Sequence, residues 1–561
     1  MRGELLFLPV IYLLLTGLPG AAGALSAAAT GVRQVPVLLA IGLASSGVGA
    51  MAGFWAFYAE PAVGETVAFL LAFGSALAVA WILRERRVDA EVLRGLATPL
   101  GLWALGTFFL LFLGFAHGGV DRPLETAAIR FGSQLPSDNA IPQFFADWFY
   151  LHGHQGTPPE FPGEWLSSDR PPLQIAYALM QRPFGWDSNG LRYQIIGVAL
   201  QQLWIVGLWA LLLAAKVGRT TRALAMGTVL VSGLAIVNGF YVWPKLLPAA
   251  MLLAAAALVL TPLWEELRGK LWGAVLFATL CALAMLGHGA SIFGVIPLLA
   301  IAAVRGGLTW RWLGVAALVG IALMAPWSAY QKYGDPPGNR LVKWQIGGVV
   351  EVDDRGAVEA IADTYGEIGL GGAIGYKVEN FETMAGVTET YDELENGLDS
   401  GSLSGLVRSV RAVSFLYLLP SLGLLLLAPI AMLLAWRGGR REEPEWRFAL
   451  ACFAATAIGA LAWGLLIIGG DPQRTSIHVG SYLIPILAIC GCVAGLRASQ
   501  PRFATPYLLA AASLSLLLYV PFLGAPPGSS WSFPNVLLAA AALAAFGVLA
   551  TGPRRSAAPR G

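Results

Sequence analysis

Uninterrupted apolar runs recur from end to end of this chain, and they restrict its fold more than any motif does. They lie near residues 4–23, 36–57, 62–83, 96–117, 194–215, 222–242, 246–263, 271–287, 289–304, 312–329, 412–436, 447–469, 479–496, 505–523 and 533–551, about 15 in all. A helix rises 1.5 Å per residue, so about 20 apolar residues cross the roughly 30 Å hydrocarbon core of a bilayer. Only 12% of the residues are charged and 57% are hydrophobic, whereas soluble domains carry about 25% charge. The expected fold class is therefore an all-α polytopic membrane protein. The first 23 residues have the apolar character of a signal peptide, but further spans follow at once, so a retained helix is expected there. The net charge of +2 gives no reason to expect a nucleic-acid partner. Cys281, Cys452, Cys490 and Cys492 all fall inside apolar runs, where a thiol behaves as a small hydrophobe.

The loops between spans divide by charge. Those at 84–94, 216–222, 268–270, 305–311 and 437–447, and the tail at 552–560, are rich in Lys and Arg. Short basic loops stay in the cytoplasm. Alternation then puts 118–193, 330–410, 470–478 and 524–532 on the extracytoplasmic side. The segment 331–410 holds 14 Asp and Glu against 6 Lys and Arg, as suits a translocated segment.

The stretch from Leu135 to Leu173 is the first long polar one, and it holds the chemistry-bearing residues. Asp138 precedes PQFFADWFYL, a pattern that suits a helix lying flat at the membrane interface. Asp138 is either the cap of that helix or a general base at the water–lipid boundary. Further on, Asp169-Arg170 precedes two prolines, which impose an extended entry into a helix. A guanidinium there suits two phosphate oxygens, or an internal ion pair with Asp169. Other residues fall on the same side of the expected bundle. Lys245, beside Trp243 and Pro244, suits a lipid phosphate or simple snorkelling. His288 stands in a glycine-flanked break between short spans, where it is either a turn residue or part of the site. Asp335, Arg340 and Lys343 follow a span directly, and Arg474 and His478 occupy a later loop. Cations from several loops around one carboxylate-bearing loop are what an anionic lipid-phosphate substrate needs. His152, His154 and Asp147 offer the only metal reading, a divalent cation. No metal site or other cofactor is assigned, and the chain has no P-loop, dinucleotide-binding glycine pattern or HExxH motif.

This arrangement resembles the GT-C superfamily of integral-membrane glycosyltransferases, in the protein O-mannosyltransferase and aminoarabinose transferase branch. Members carry an acidic residue at the start of a large first outer loop, often Asp-Glu, then an interfacial helix. A Lys- or His-Pro-Pro-Leu motif follows some 30 residues on. Asp138 stands at the acidic position, and Arg170-Pro171-Pro172-Leu173 stands at the second motif. Asn139 replaces the second acid, Arg170 replaces Lys or His, and three extra spans precede the part that matches.

The resemblance implies a GT-C-like bundle of about 13–15 transmembrane helices with two large extracytoplasmic loops. Its parts would be accessory helices at 1–95, a catalytic membrane core at 96–330 with the first outer loop 118–193, an acidic loop at 331–410 and C-terminal helices at 411–561. It implies that Asp138 is the catalytic base. It places Arg170 near the donor or acceptor phosphate; on the residue reading above, Asp169, Lys245, His288, Arg340, Lys343 and His478 would complete the phosphate-binding site. The expected activity is transfer of a sugar from a polyprenyl-phosphate donor to a lipid, glycan or protein acceptor. The expected location is the outer face of the inner membrane. Two other classes compete: a flippase for lipid-linked glycans, and an O-antigen polymerase or ligase working through the 331–410 loop. A translocation path calls for ionisable groups at mid-bilayer, and here the polar groups gather at span ends.

Overall fold

The computed structural model describes residues 3–131, 135–162, 165–185, 189–435, 443–470, 482–520 and 531–552. Among them the chain is helical, with two isolated bridges (His117 with Trp531, Phe161 with Trp165) and no strand. The first four helices are long: α1 Glu4–Ala29, α2 Val35–Ala59, α3 Pro61–Arg84 and α4 Ala90–Gly114. The first polar segment supplies α5 Pro123–Ile129, α6 Ile141–His152 and α7 Leu173–Gln181. The central part holds α8 Leu191–Gln201, α9 Trp204–Ala214, α10 Arg219–Leu230, α11 Gly233–Tyr241, α12 Leu246–Val259, α13 Leu263–Leu267, α14 Leu271–Gly287, α15 Ile292–Val304 and α16 Trp310–Ala329. The acidic segment folds into α17 Arg340–Gly347, α18 Ala357–Ala385, α19 Val387–Asp399 and α20 Leu403–Val413. The rest is α21 Leu418–Leu422, α22 Leu427–Ala435, α23 Pro444–Leu466, α24 Leu483–Ser499, α25 Pro501–Leu518 and α26 Phe533–Thr551.

Nine described helices or helix pairs are long and apolar enough to cross a membrane, and the bent pair α10–α11 makes a tenth. α12, α14 and α24, and α15 with the turn before it, are apolar but shorter. About 15 separate runs therefore do not become 15 full-length spans. The expected run 246–263 ends as α12 at Val259, because Pro262 disfavours helix at the residue before it. The two runs around His288 are separated by that residue's extended backbone (φ −164°, ψ 128°).

A single buried cluster extends along the chain from Leu5 to Ala550. α12 lies at its centre, packed against α9, α14 and α2, and every one of its residues is buried. A helix that is apolar on all sides suits such a position. α26 packs on α4, which joins the C-terminal end of the chain to its N-terminal helices, and α23 packs on α24. α16 by contrast buries only Trp312 and Trp327 within the protein, which leaves an apolar surface suited to lipid.

Three glutamines inside this apolar mass bond the backbone around the break between α11 and α12. Gln174 Nε2 donates to the Val242 carbonyl at 2.7 Å, and Gln194 Nε2 donates to Phe240 O at 2.6 Å. Both carbonyls lie at the C-terminal end of α11, where helical partners run out. Gln201 Oε1 accepts from Leu246 N at 2.9 Å and Leu247 N at 3.1 Å, two orphan donors at the start of α12. Gln201 Nε2 in turn donates to Gln174 Oε1 at 2.8 Å, which joins the two ends. Gln202 lies beside Gly239 in the same layer. Val242 takes a left-handed conformation (φ 55°) between α11 and α12. The network ties the two sides of this break together, and Trp243 and Lys245 stand within it.

Candidate functional site

Asp138 lies in a short 3-10 turn, Ser137–Ala140, that leads into α6. Its side chain makes no capping bond. The capping reading is therefore set aside, while the expected helix is present as α6. The neighbouring Asn139 is buried and its Nδ2 donates to Leu124 O at 2.9 Å, which ties the turn to α5. The Tyr241 hydroxyl donates to Pro136 O at 2.6 Å, which ties it to the end of α11. Partial burial raises the Asp138 carboxyl above the usual carboxylate range, and the nearby Arg170 guanidinium acts against that shift.

Arg170 is 9% exposed and lies between two indoles, 3.8 Å from the Trp165 ring centre and 4.8 Å from that of Trp243. Its Nε and Nη2 are buried without a hydrogen-bond partner. Burial lowers its pKa to about 10, with Asp138 and Asp169 pulling the other way, so it remains a cation at neutral pH. A buried ion forfeits several kcal/mol of hydration. A desolvated cation–π contact returns about 2 kcal/mol, and each unmade hydrogen bond costs about 1–3 kcal/mol. Two N–H groups aimed at nothing are thus a substantial local cost, which an anionic ligand relieves.

Asp169 does not form the expected pair with Arg170. Its Oδ2 meets Arg340 Nη1 at 3.3 Å and accepts from Leu166 N at 3.1 Å, while Oδ1 is buried and unpartnered. Burial raises its pKa, and the Leu166 N–H and Arg340 oppose the shift. Arg340 also lies 5.0 Å from the Trp165 ring centre, so Trp165 is flanked by two guanidinium groups. The segment 167–170 is anchored from α16 onward. Asp335 Oδ2 accepts from Ser167 Oγ at 2.6 Å and Ser168 N at 3.1 Å, and Gln331 Nε2 donates to Ser168 O at 2.9 Å. Ser168 Oγ is a further buried atom without a partner.

Lys245 Nζ lies 2.7 Å from His288 Nε2. The Ala290 backbone N–H donates to His288 Nδ1 at 3.1 Å. A neutral imidazole has one acceptor nitrogen, and Nδ1 is already taken, so Nε2 carries the proton and donates it. Burial drives the Lys245 pKa well below the ordinary value, and the Arg170 charge pushes it the same way while Asp138 opposes both.

The remaining expected residues are not drawn into this cluster. Lys343 is fully buried, but it bonds the Asp353 carbonyl and pairs with Asp353 Oδ1 at 3.5 Å inside its own segment. Asp147 pairs with Arg182. His152 stacks on Trp148 at 3.9 Å, and His154 Nδ1 meets Ala59 O at 2.9 Å. Among the described residues no three His, Cys, Asp or Glu side chains form a metal-holding group. Arg474 and His478 lie outside the described residues. Sequence reasoning missed Trp165, Ser168 and Tyr241. The WxxxDR spacing of Trp165 and Arg170 was visible, but nothing in it fixes the stacking.

These features define an all-α polytopic membrane protein with a charged, largely buried cluster at one end of its bundle. No protein-family model, curated protein or solved structure matches the chain.

Proposed function

We propose that this protein is a membrane glycosyltransferase of GT-C type, moving a sugar from a polyprenyl-phosphate donor to a lipid, glycan or protein acceptor at the outer face of the inner membrane. The observation that carries this reading is the juxtaposition of Asp138 with Arg170, whose two buried N–H groups lack partners. Asp138 takes the proton of the acceptor hydroxyl as its oxygen attacks the anomeric carbon. The new C–O bond forms while the bond from that carbon to the phosphate oxygen breaks. The electron pair leaves with polyprenyl phosphate, whose charge Arg170 receives. The arriving anion favours the protonated form of Lys245, which adds a second positive charge.

The test is a reconstituted assay with polyprenyl-phosphate sugars, alongside analysis of lipid-linked sugars in cells with and without the gene. One accumulated polyprenyl-phosphate sugar supports the reading. An accumulated untranslocated oligosaccharide overturns it in favour of a flippase. A second reading, an O-antigen polymerase or ligase, is favoured by one contact: Arg340 brings the 331–410 segment against Asp169. Chain-length analysis of surface glycan separates it from single-sugar transfer.

A further inference from the structure

A cavity of about 680 Å³ lies between α10, α25 and α26. α10 and α11 meet at a bend of 54°, and Tyr241 at the end of α11 adjoins Asp138. The cavity reaches Arg219 at the start of α10, so its mouth and the candidate site lie at opposite ends of this helix pair. The lining runs from Arg219 to Val231 on α10, Thr505 to Leu516 on α25 and Leu543 to Thr551 on α26. At 1.5 Å per residue these stretches are roughly 18, 16 and 12 Å deep, about half of a 30 Å hydrocarbon core. The cavity is thus about one leaflet deep.

Its two ends differ in chemistry. The deep walls are mainly apolar, with Leu224, Leu508, Leu516, Leu543 and Phe546 beside the polar Thr228 and Ser513. A Cβ added to Gly227 or Gly547 meets nothing within 4 Å, so both glycines border open space. The mouth carries Arg219, Thr220, Thr505 and Thr551. Behind Thr505 stands Arg497, whose Nη1 donates to Thr505 Oγ1 at 3.0 Å and whose buried Nε has no hydrogen-bond partner. The carboxylate nearby, Glu445, is turned to Gly218 N at 2.7 Å and Thr221 Oγ1 at 3.2 Å. Guanidinium groups at the rim of a leaflet-deep apolar slot match a phosphate headgroup with a hydrocarbon chain below it.

We propose that this cavity binds one anionic phospholipid, with an acyl chain between α10, α25 and α26 and its headgroup against Arg219 and Arg497. The site is separate from the Asp138 cluster and does not depend on the activity assigned there.

The test uses the full-length protein in nanodiscs of equimolar phosphatidylglycerol and phosphatidylcholine, then gentle release and native mass spectrometry. The expected result is retention of one phosphatidylglycerol with about tenfold preference, the size of one charge-assisted hydrogen bond. Gly227→Leu with Gly547→Leu fills the slot and removes the retained lipid. Arg219→Gln with Arg497→Gln keeps a lipid but loses the headgroup preference, and this pair still tests the site if the filled variant does not fold. Equal retention of both lipids by the wild type, or unchanged phosphatidylglycerol in the filled variant, overturns the proposal and leaves only annular lipid.

Discussion

Lys245 and His288 meet at 2.7 Å in a buried setting that disfavours charge on the lysine nitrogen. Lys245 leaves the end of α11 and His288 follows α14, and the two helices meet through α12. An arriving phosphate reverses the electrostatics, because an opposite charge at close range favours the protonated amine. Binding of an anionic donor is therefore coupled to proton uptake. Calorimetric titration with a polyprenyl-phosphate sugar, repeated in buffers of different ionisation enthalpy, should show close to one proton taken up per ligand. Lys245→Met should abolish that uptake; a wild type whose binding heat does not vary with buffer contradicts the lowered Lys245 pKa.

Asp138→Asn should lower transfer by about 10²–10⁴-fold, the usual contribution of a positioned general base. Insertion should be retained, because Asn139 and Tyr241, not the Asp138 carboxyl, make the hydrogen bonds that hold the turn. Wild-type output from the variant in a reconstituted assay would sink the base assignment.

The pH dependence follows from the same carboxyl. Burial raises its pKa, and the base works only when ionised, so activity should fall as pH drops through that raised value. The acid limb of the rate profile should thus stand above the ordinary carboxylate range, near pH 4. Arg170→Gln removes an opposing cation and should move the limb to still higher pH in whatever activity survives. A limb at or below the ordinary range in both proteins would contradict the assignment.

Arg170→Lys should behave almost as poorly as Arg170→Ala. A lysine offers neither the planar face that stacks between Trp165 and Trp243 nor paired N–H groups. The loss should appear mainly as a raised KM for donor, by about tenfold or more, the value of one hydrogen bond to a charged group. Unchanged donor dependence in Arg170→Lys removes the residue from the phosphate role.

Gln201→Leu should destabilise the fold without touching the cluster. It strands Leu246 N and Leu247 N, at about 1–3 kcal/mol for each buried unmade bond. Thermal melting in detergent should show a clear drop in Tm, and Gln174→Leu should act in the same direction. A Tm unchanged in both variants would show that the α11–α12 break holds itself open.

The class of this protein was legible in the chain alone. Twenty-residue apolar runs and sparse charge leave helices in a bilayer as the outcome, because burial of the backbone in hydrocarbon is a local requirement that each run meets by itself. The helix after Asp138 and the extended entry at Arg170-Pro171-Pro172 were equally local matters of proline geometry and aromatic spacing. What brought Asp138, Arg170, Lys245 and His288 together was not local. Gln174, in the expected outer loop, and Gln194 and Gln201, in a run that read as a plain membrane span, satisfy the carbonyls and N–H groups around the α11–α12 break. Whether a cation pairs, stacks or has its charge disfavoured depended on neighbours more than 40 residues away, as when Asp169 met Arg340 and Lys245 met His288. Those choices belong to the tertiary structure, because desolvation and hydrogen-bond supply are set by what packs against a side chain and not by what precedes it in the chain.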